Sequence, residues 1–251
     1  MRPLLPLSLL AVPALLAAQP AAPGNGTQLL AAMHARYAAT WYPTLTFTQK
    51  SIWYKPDGSE ARVQTWHEAL QAPGLLRIDM GDAPARDGAI FRHDSTYRFT
   101  AGKLAGATAE RNLLLVLGFD VYKQPPSHTA DVLRAEGIDL GTLHRQTFQG
   151  RTVYVVGAAA GDTLSPQFWV DARRLLFVRL IQPNKARTSV QDVRFNKYVR
   201  KPGGWLADQV QVLSGGKLVY EEDYSDVKVN MKLDPALFDP AAWATAPLWW
   251  K

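Results

Sequence analysis

The chain has 251 residues, 47% of them hydrophobic, so it is long enough to bury one sizeable core. It contains no cysteine, which excludes disulfides, thiolate metal sites and thiol nucleophiles. The formal charge of +6 comes from 28 basic residues scattered among 22 acidic ones, so the charge does not indicate nucleic acid as a partner.

The first 18 residues have the layout of a cleavable secretory signal, with Arg2, an apolar stretch and small residues near its end. Three prolines interrupt the stretch, and it is shorter than the roughly 20 apolar residues of a spanning helix. We therefore expect cleavage between residues 17 and 22 rather than a membrane anchor. A linker over residues 19–26 follows. A single domain over residues 27–251 is expected, because the sequence shows no internal repeat or change in composition.

An amphipathic helix is predicted next, with Thr27 as its N-cap and an end before Pro43. A β-hairpin follows over Thr44 to Leu70, because the turn residues Asp57 and Gly58 separate two extended runs. Its large apolar residues fall on both phases: Leu45, Phe47 and Trp53 on one, Ile52, Tyr54 and Trp66 on the other. A sheet with one wet face alternates cleanly, so the hairpin indicates a curved sheet whose concave side holds an apolar ligand.

The next segments extend the β pattern. In the third strand, Leu76 and Ile78 alternate with Arg77 and Asp79. A turn is predicted to begin at Asp87-Gly88, before a short hairpin around Asp94-Ser95, and from Leu143 onward the pattern is an antiparallel meander. About ten or eleven strands are expected in all, with helices at the beginning and in the middle.

Residues 112–122, NLLLVLGFDVY, break the strand rhythm and have no polar face. Two interpretations are open for this segment, which contains Leu113, Leu114, Leu117 and Phe119. It is either a buried core element or a lid in the mouth of the sheet that moves aside for a ligand. Ser127 is predicted to cap a second helix over Thr129 to Glu136.

The C-terminal tail contains Trp243, Trp249 and Trp250. These aromatic side chains either cover an edge or an end of the sheet, which is the commoner role, or contact lipid or a partner protein.

Catalytic signatures are absent from the sequence: it has no Gly-x-Ser-x-Gly elbow, phosphate-binding loop or His-Glu-x-x-His pair. The five histidines are well separated. A metal site formed by the His67-Glu68 and His93-Asp94 pairs is a minor alternative. We therefore expect no enzymatic activity and no cofactor.

Several short motifs occur in a consistent order along the chain. They are Phe47-Thr48-Gln49, Pro73-Gly74-Leu75-Leu76-Arg77, Asp87-Gly88, Val229-Asn230, Leu233 and Phe238-Asp239-Pro240. Together with the predicted signal, they resemble the LolA-like family of periplasmic lipoprotein carriers and the related outer-membrane lipoprotein-sorting proteins.

The resemblance implies a mainly β (α+β) fold, in which a single curved antiparallel sheet forms an open half-barrel with helices over its concave side. An apolar cavity would receive acyl chains, and Arg77 would match the arginine whose hydrogen bonds to the lid hold the closed state. The expected ligand-binding residues are Phe47, Trp53, Trp66, Arg77, Leu113, Leu114, Leu117 and Phe119. This chain departs from the carriers in its long segment from Thr108 to Leu143 and in the hairpin from Ser189 to Tyr224, which leaves the cargo open.

The function implied is a monomeric, non-enzymatic carrier in the periplasm. It would bind a lipid or the acyl chains of a lipoprotein and exchange them with a membrane-bound donor or acceptor protein. A sensor of envelope lipids or an interaction module with the same fold is the alternative. An enzyme using Arg98, His67 or His93 is the least favoured hypothesis.

Overall fold

The computed structural model describes residues 22–81, 85–184, 186 and 188–250. The predicted signal over residues 1–18 lies outside them. Within these ranges the strands are β1 (Thr44–Tyr54), β2 (Glu60–Gln71), β3 (Leu75–Met80), β4 (Asp87–Arg92), β5 (Ser95–Thr100), β6 (Lys103–Thr108), β7 (Leu143–Phe148), β8 (Arg151–Val156), β9 (Gln167–Asp171), β10 (Phe177–Pro183), β11 (Val190–Lys201), β12 (Gly204–Ser214) and β13 (Lys217–Val229).

The helices are short. They are α1 (Gly26–Tyr37), α2 (Leu113–Gly118), α3 (Pro126–Ala135) and 3-10 helices at Asp120–Tyr122, Pro235–Phe238 and Pro240–Ala242. In the part of the chain that the structure describes, none of them has the length and apolar character needed to cross a membrane.

Two helices begin two or three residues earlier than the sequence predicts. The N-cap of α1 is Asn25, whose side-chain oxygen accepts a 2.9 Å hydrogen bond from the backbone N–H of Gln28, so Thr27 is not the cap. Helix α3 starts at Pro126, because the fixed backbone angle of proline suits the first turn of a helix, and Ser127 lies inside it.

One antiparallel sheet contains all the strands listed above, in the order β6-β5-β4-β3-β2-β1-β13-β12-β11-β10-β9-β8-β7. The sheet is not closed: β6 and β7 are its two edges, and the segment that carries α2 and α3 connects them. The prediction of a mainly β, curved and open antiparallel sheet is confirmed. The predicted number of strands is wrong, since the described residues form thirteen. The overlooked strand is β6, an edge strand whose six residues are all exposed and therefore show no apolar alternation.

The sheet is covered on both faces. We call the face that carries Phe47, Leu76 and Ile78 the inner face, and its side chains belong to the same core cluster as those of α1, α2 and α3. We call the opposite face, which carries Arg77 and Ile90, the outer face. The C-terminal segment, residues 231–250, packs on β2 to β5 of this outer face. From the opening hairpin, Ala69 of β2 packs in one cluster with Leu237, Phe238 and Ala246 of this segment.

Trp243 anchors the C-terminal segment to the outer face. Its ring stacks on Phe99 at 4.2 Å between centroids, and its indole N–H donates to the carbonyl of Arg86 at 3.0 Å. The close approach requires glycine at position 88, where a Cβ atom would lie 2.7 Å from the Trp243 ring. Asp87 and Gly88 pair with Met80 and Asp79 as the first residues of β4, so the turn predicted to begin at Asp87-Gly88 is wrong. Trp243 therefore packs on a face of the sheet, and not on an edge or an end as predicted.

Candidate functional site: a cavity beneath helix α2

A cavity of about 70 Å³ lies between the inner face of the sheet and helix α2. The apolar residues that line it are Phe47, Trp66, Leu70, Leu76, Ile78, Leu114, Leu115, Phe119 and Phe195, and the polar ones are Gln49, Glu68, Asn112, Glu222 and Tyr224. Sites for small ligands usually measure about 300–1,000 Å³. The cavity is therefore smaller than such sites in this conformation.

Helix α2 is capped at its start and attached to the rest of the fold after its end. Before the helix, the Asn112 side chain accepts hydrogen bonds from the backbone N–H groups of Leu114 and Leu115. After it, the Asp120 carboxylate accepts from the backbone N–H of Gly74 at 3.0 Å. The Tyr122 ring stacks on Trp41 with 3.9 Å between centroids. The helix itself is only six residues long, so it is a small element held at its ends.

Gly118, the last residue of α2, lets the helix approach the sheet closely. A Cβ atom at this position would lie 2.9 Å from the ring of Phe195 on β11. The helix thus presses directly on the inner face, and this contact sets the small size of the cavity.

Half of the eight residues predicted to bind ligand line this cavity: Phe47, Trp66, Leu114 and Phe119. Trp53 lies beside it, with its ring 5.8 Å from that of Trp66. Leu113 and Leu117 belong to the buried core around α2 and are not among the lining residues. The register explains why Trp66 joins Phe47: it pairs with Gln49 across β1 and β2, and Gln49 is on the same phase as Phe47.

Arg77 lies on the outer face, away from α2. It is fully buried and makes two hydrogen bonds to the carboxylate of Asp79, at 2.7 and 2.8 Å. Its guanidinium carbon is 3.9 Å from the centroid of the Trp243 ring, and one guanidinium nitrogen donates to the Leu237 carbonyl at 3.4 Å. In this structure Arg77 contacts the C-terminal segment and not α2.

The comparisons with known proteins concern structure. No protein-family model matches the chain, and no curated protein sequence matches it. Solved structures with a similar fold include a LolA superfamily protein from Nitrosomonas europaea, at 12% identity and a TM-score of 0.54, covering 84% of this chain and 98% of the other. A DUF1329 family protein from Desulfovibrio piger has 12% identity and a TM-score of 0.59, covering 87% and 97%.

A third similar structure is a domain from Vibrio parahaemolyticus described as an outer membrane lipoprotein-sorting protein. It is 11% identical, with a TM-score of 0.57, and covers 87% of this chain and 98% of the other. The chain has a LolA-like fold. At these identities the likeness concerns the fold alone.

Within this LolA-like fold, the cavity has a polar end that the sequence predictions missed. Glu68 on β2 and Glu222 on β13 reach the cavity from the two strands that flank β1. Between them, the buried Gln49 amide donates to the hydroxyls of Ser51 and Tyr220, at 2.8 and 2.9 Å. The sequence did contain a signal for both glutamates: Glu68 lies between Trp66 and Leu70 on one strand phase, and Glu222 lies between Tyr220 and Tyr224 on another.

Loss of water around these carboxyl groups shifts their protonation. Burial raises the pKa of Glu68 well above its usual range, and the nearby Glu222 adds to the rise. Burial also raises the pKa of Glu222 to about 7, although the hydroxyl of Tyr224 donates to its carboxylate and opposes the shift. Asp120, beyond the end of α2, has a pKa raised to about 7 for the same reason, with the Gly74 N–H opposing it.

The histidines considered for a metal site do not converge. His67 stacks on the ring of Trp250 with 4.7 Å between centroids. His93 follows β4, where its backbone N–H donates to the Gly74 carbonyl at 2.8 Å. Among the residues that the structure describes, no group of three or more histidine or carboxylate side chains is placed to hold a metal ion.

Proposed function

We propose that the protein is a non-enzymatic carrier that takes an acyl chain of a lipid or lipoprotein into the cavity beneath α2. The observation that supports this most directly is the pairing of an apolar-lined cavity with a short, wholly apolar helix that covers it. A core helix needs no cavity behind it, whereas a lid over an acyl-chain site does. The likeness to a lipoprotein-sorting domain supports the same function.

The energetics of such a site require no catalytic group. Burying each methylene of an acyl chain contributes about 0.8 kcal/mol, so a long chain binds tightly once α2 has moved. Release is then the harder step. A membrane-bound acceptor could bind the open state, in which α2 has moved away from the cavity. The more strongly the acceptor prefers this state, the more it lowers the affinity of the protein for the ligand. We place this exchange in the periplasm, consistent with the predicted signal.

Replacing Leu114 with Gln tests the cavity. Leu114 lines it, so the polar amide should weaken binding of a pyrenyl-labelled hexadecanol, measured by fluorescence titration, by tenfold or more. The reason is that burying a leucine side chain is worth about 1.5–3 kcal/mol, and 1.4 kcal/mol is tenfold in affinity. Leu164→Gln is the matched control, because Leu164 is 49% exposed and remote from the cavity, and it should leave binding unchanged.

Equal affinity in the parent protein and both variants would contradict the site, and no binding of the labelled alcohol to the parent would contradict the carrier function. The sensor alternative differs in a second measurement. A carrier transfers the labelled lipid between two populations of vesicles, whereas a sensor retains one stoichiometric protein partner from an envelope extract and transfers no lipid.

A further inference from the structure

Glu68 is a buried carboxyl group with no partner in the protein. It is 5% exposed and lines the cavity, yet its side chain makes no hydrogen bond to any residue in the described ranges. A mostly buried polar group without a hydrogen bond destabilises a protein, and more so when it is charged. The Glu68 oxygens keep a small accessible area, and since Glu68 lines the cavity, a ligand there can supply the partner that the protein does not.

The described residues that line the cavity beside Glu68 include an acidic side chain and no basic one. Glu222 is the second acidic residue of the cavity, and the described residues that line it include no lysine, arginine or histidine. An anionic head group, such as a carboxylate or a phosphate, would meet like charge in a poorly solvated space. A cation would find two carboxyl groups that have no basic side chain beside them in the cavity lining, and it would favour their ionised form.

Aromatic rings complete the polar end. Trp66 and Tyr224 line the cavity, and the rings of Trp53 and Tyr220 lie 5.1 Å apart beside them. Aromatic faces attract cations through the negative charge above the ring, and such rings beside carboxylates are a common arrangement for binding ammonium groups. Trp53 already has the guanidinium of Arg62 at 4.7 Å from its ring centroid.

We propose that this polar end binds the positively charged amine of an amphiphile, with Glu68 as its main partner and Glu222 as the second. The apolar chain of the same molecule then lies along the apolar lining. The inference rests on the proposed function, since it names the class of ligand for the same cavity. It excludes free fatty acids and other anionic amphiphiles as the preferred cargo.

Binding of an amine should also change the protonation state of Glu68. In the free protein burial favours the neutral form of Glu68, because its pKa is raised. An ammonium group beside it favours the carboxylate, so binding should release a proton from the site. The chain carries a net charge of +6, so non-specific attraction would favour an anionic amphiphile, and a preference for an amine must come from local groups.

The test compares three amphiphiles with the same chain: hexadecylamine, hexadecanol and hexadecanoate. Each competes with the pyrenyl-labelled hexadecanol at about pH 7.5, where a free amine is protonated, and below the concentration at which it forms micelles. We expect the amine to bind at least tenfold more tightly than the other two. Glu68→Gln should remove this preference, so that the amine binds no more tightly than hexadecanol. Glu60→Gln, which removes an exposed carboxylate from the same strand, should change nothing.

The outcomes separate the two proposals. Hexadecanol or hexadecanoate binding as tightly as the amine overturns the inference and leaves the carrier function standing. An amine preference that survives both Glu68→Gln and Glu222→Gln also overturns it, because the preference would then arise elsewhere. Failure of all three amphiphiles to compete, with no binding of the labelled alcohol, overturns both proposals. Since Gln is uncharged and has nearly the shape of Glu, each variant should fold, which circular dichroism would verify.

Discussion

Replacing Arg77 with Met should lower the free energy of unfolding by about 3–5 kcal/mol, the usual effect of removing one partner of a buried ion pair. The loss is large because Asp79 would keep a buried carboxylate without its guanidinium. The contact with the Trp243 ring and the hydrogen bond to the Leu237 carbonyl would be lost as well. Urea denaturation gives the free energy of unfolding.

Arg98→Met is the matched control. Arg98 also bonds to a carboxylate, that of Glu110 at 3.0 Å, but both side chains are more than half exposed. An exposed ion pair of this kind contributes about 0–1 kcal/mol. Limited proteolysis adds a local measurement: the Arg77 variant should be cut within the C-terminal segment, whereas the Arg98 variant should not. Equal destabilisation by the two substitutions would show that Arg77 does not hold this segment.

Replacing Glu222 with Gln should stabilise the protein in neutral and alkaline solution and leave it unchanged in acid. The Glu222 pKa is about 7 in the folded protein against an ordinary value of 4.5, so the folded state keeps its proton longer than the unfolded state. The contribution of Glu222 to the free energy of unfolding therefore falls as pH rises from about 4.5 to about 7, and it is constant above that range. The full shift corresponds to about 3 kcal/mol. Because Glu222 is only partly buried, we expect about 2 kcal/mol.

Urea titrations at about pH 4 and about pH 8 measure the difference, since these values lie on either side of the two pKa values. Some pH dependence should persist in the variant, because Asp120 has a raised pKa with the same sign in the same range. Glu110→Gln, at an exposed site, should have the same pH dependence as the parent protein. A Glu222→Gln variant that is less stable at pH 8 than the parent would mean that the carboxylate is satisfied in the folded state.

The sequence was sufficient for the sheet because alternation is a local property. In the six residues of β3, Leu76 and Ile78 alternate with Arg77 and Asp79. This alternation correctly places the first pair on the inner face and the second pair on the outer face. The apolar character of residues 112–122 was also evident, although their helical geometry and their position over the cavity depend on distant strands. The start of α1 was missed by two residues because Asn25 and Thr27 are both good N-caps.

The candidate site was harder to predict because it is assembled across strands that are remote in sequence. Glu68 and Glu222 meet only because β13 pairs with β1, a pairing that no local pattern specifies. The role of Arg77 depends on which element covers its face. That element is the C-terminal segment, which follows in sequence by more than 150 residues, as its bond to Leu237 shows. Alternation assigns a residue to one of two faces, but it does not say what lies on each face.

The strand order also bears on how the chain folds. In the described sheet, every pair of neighbouring strands is consecutive in sequence except β1 and β13. The strands β1–β6 and β7–β13 can therefore each assemble as a local meander, and joining them is the slow, long-range step. During synthesis from the N-terminus, the edge of β1 that faces away from β2 stays unpaired until β13 has been synthesised. Such an edge can pair with other chains. Until that last strand docks, the molecule is most prone to aggregate.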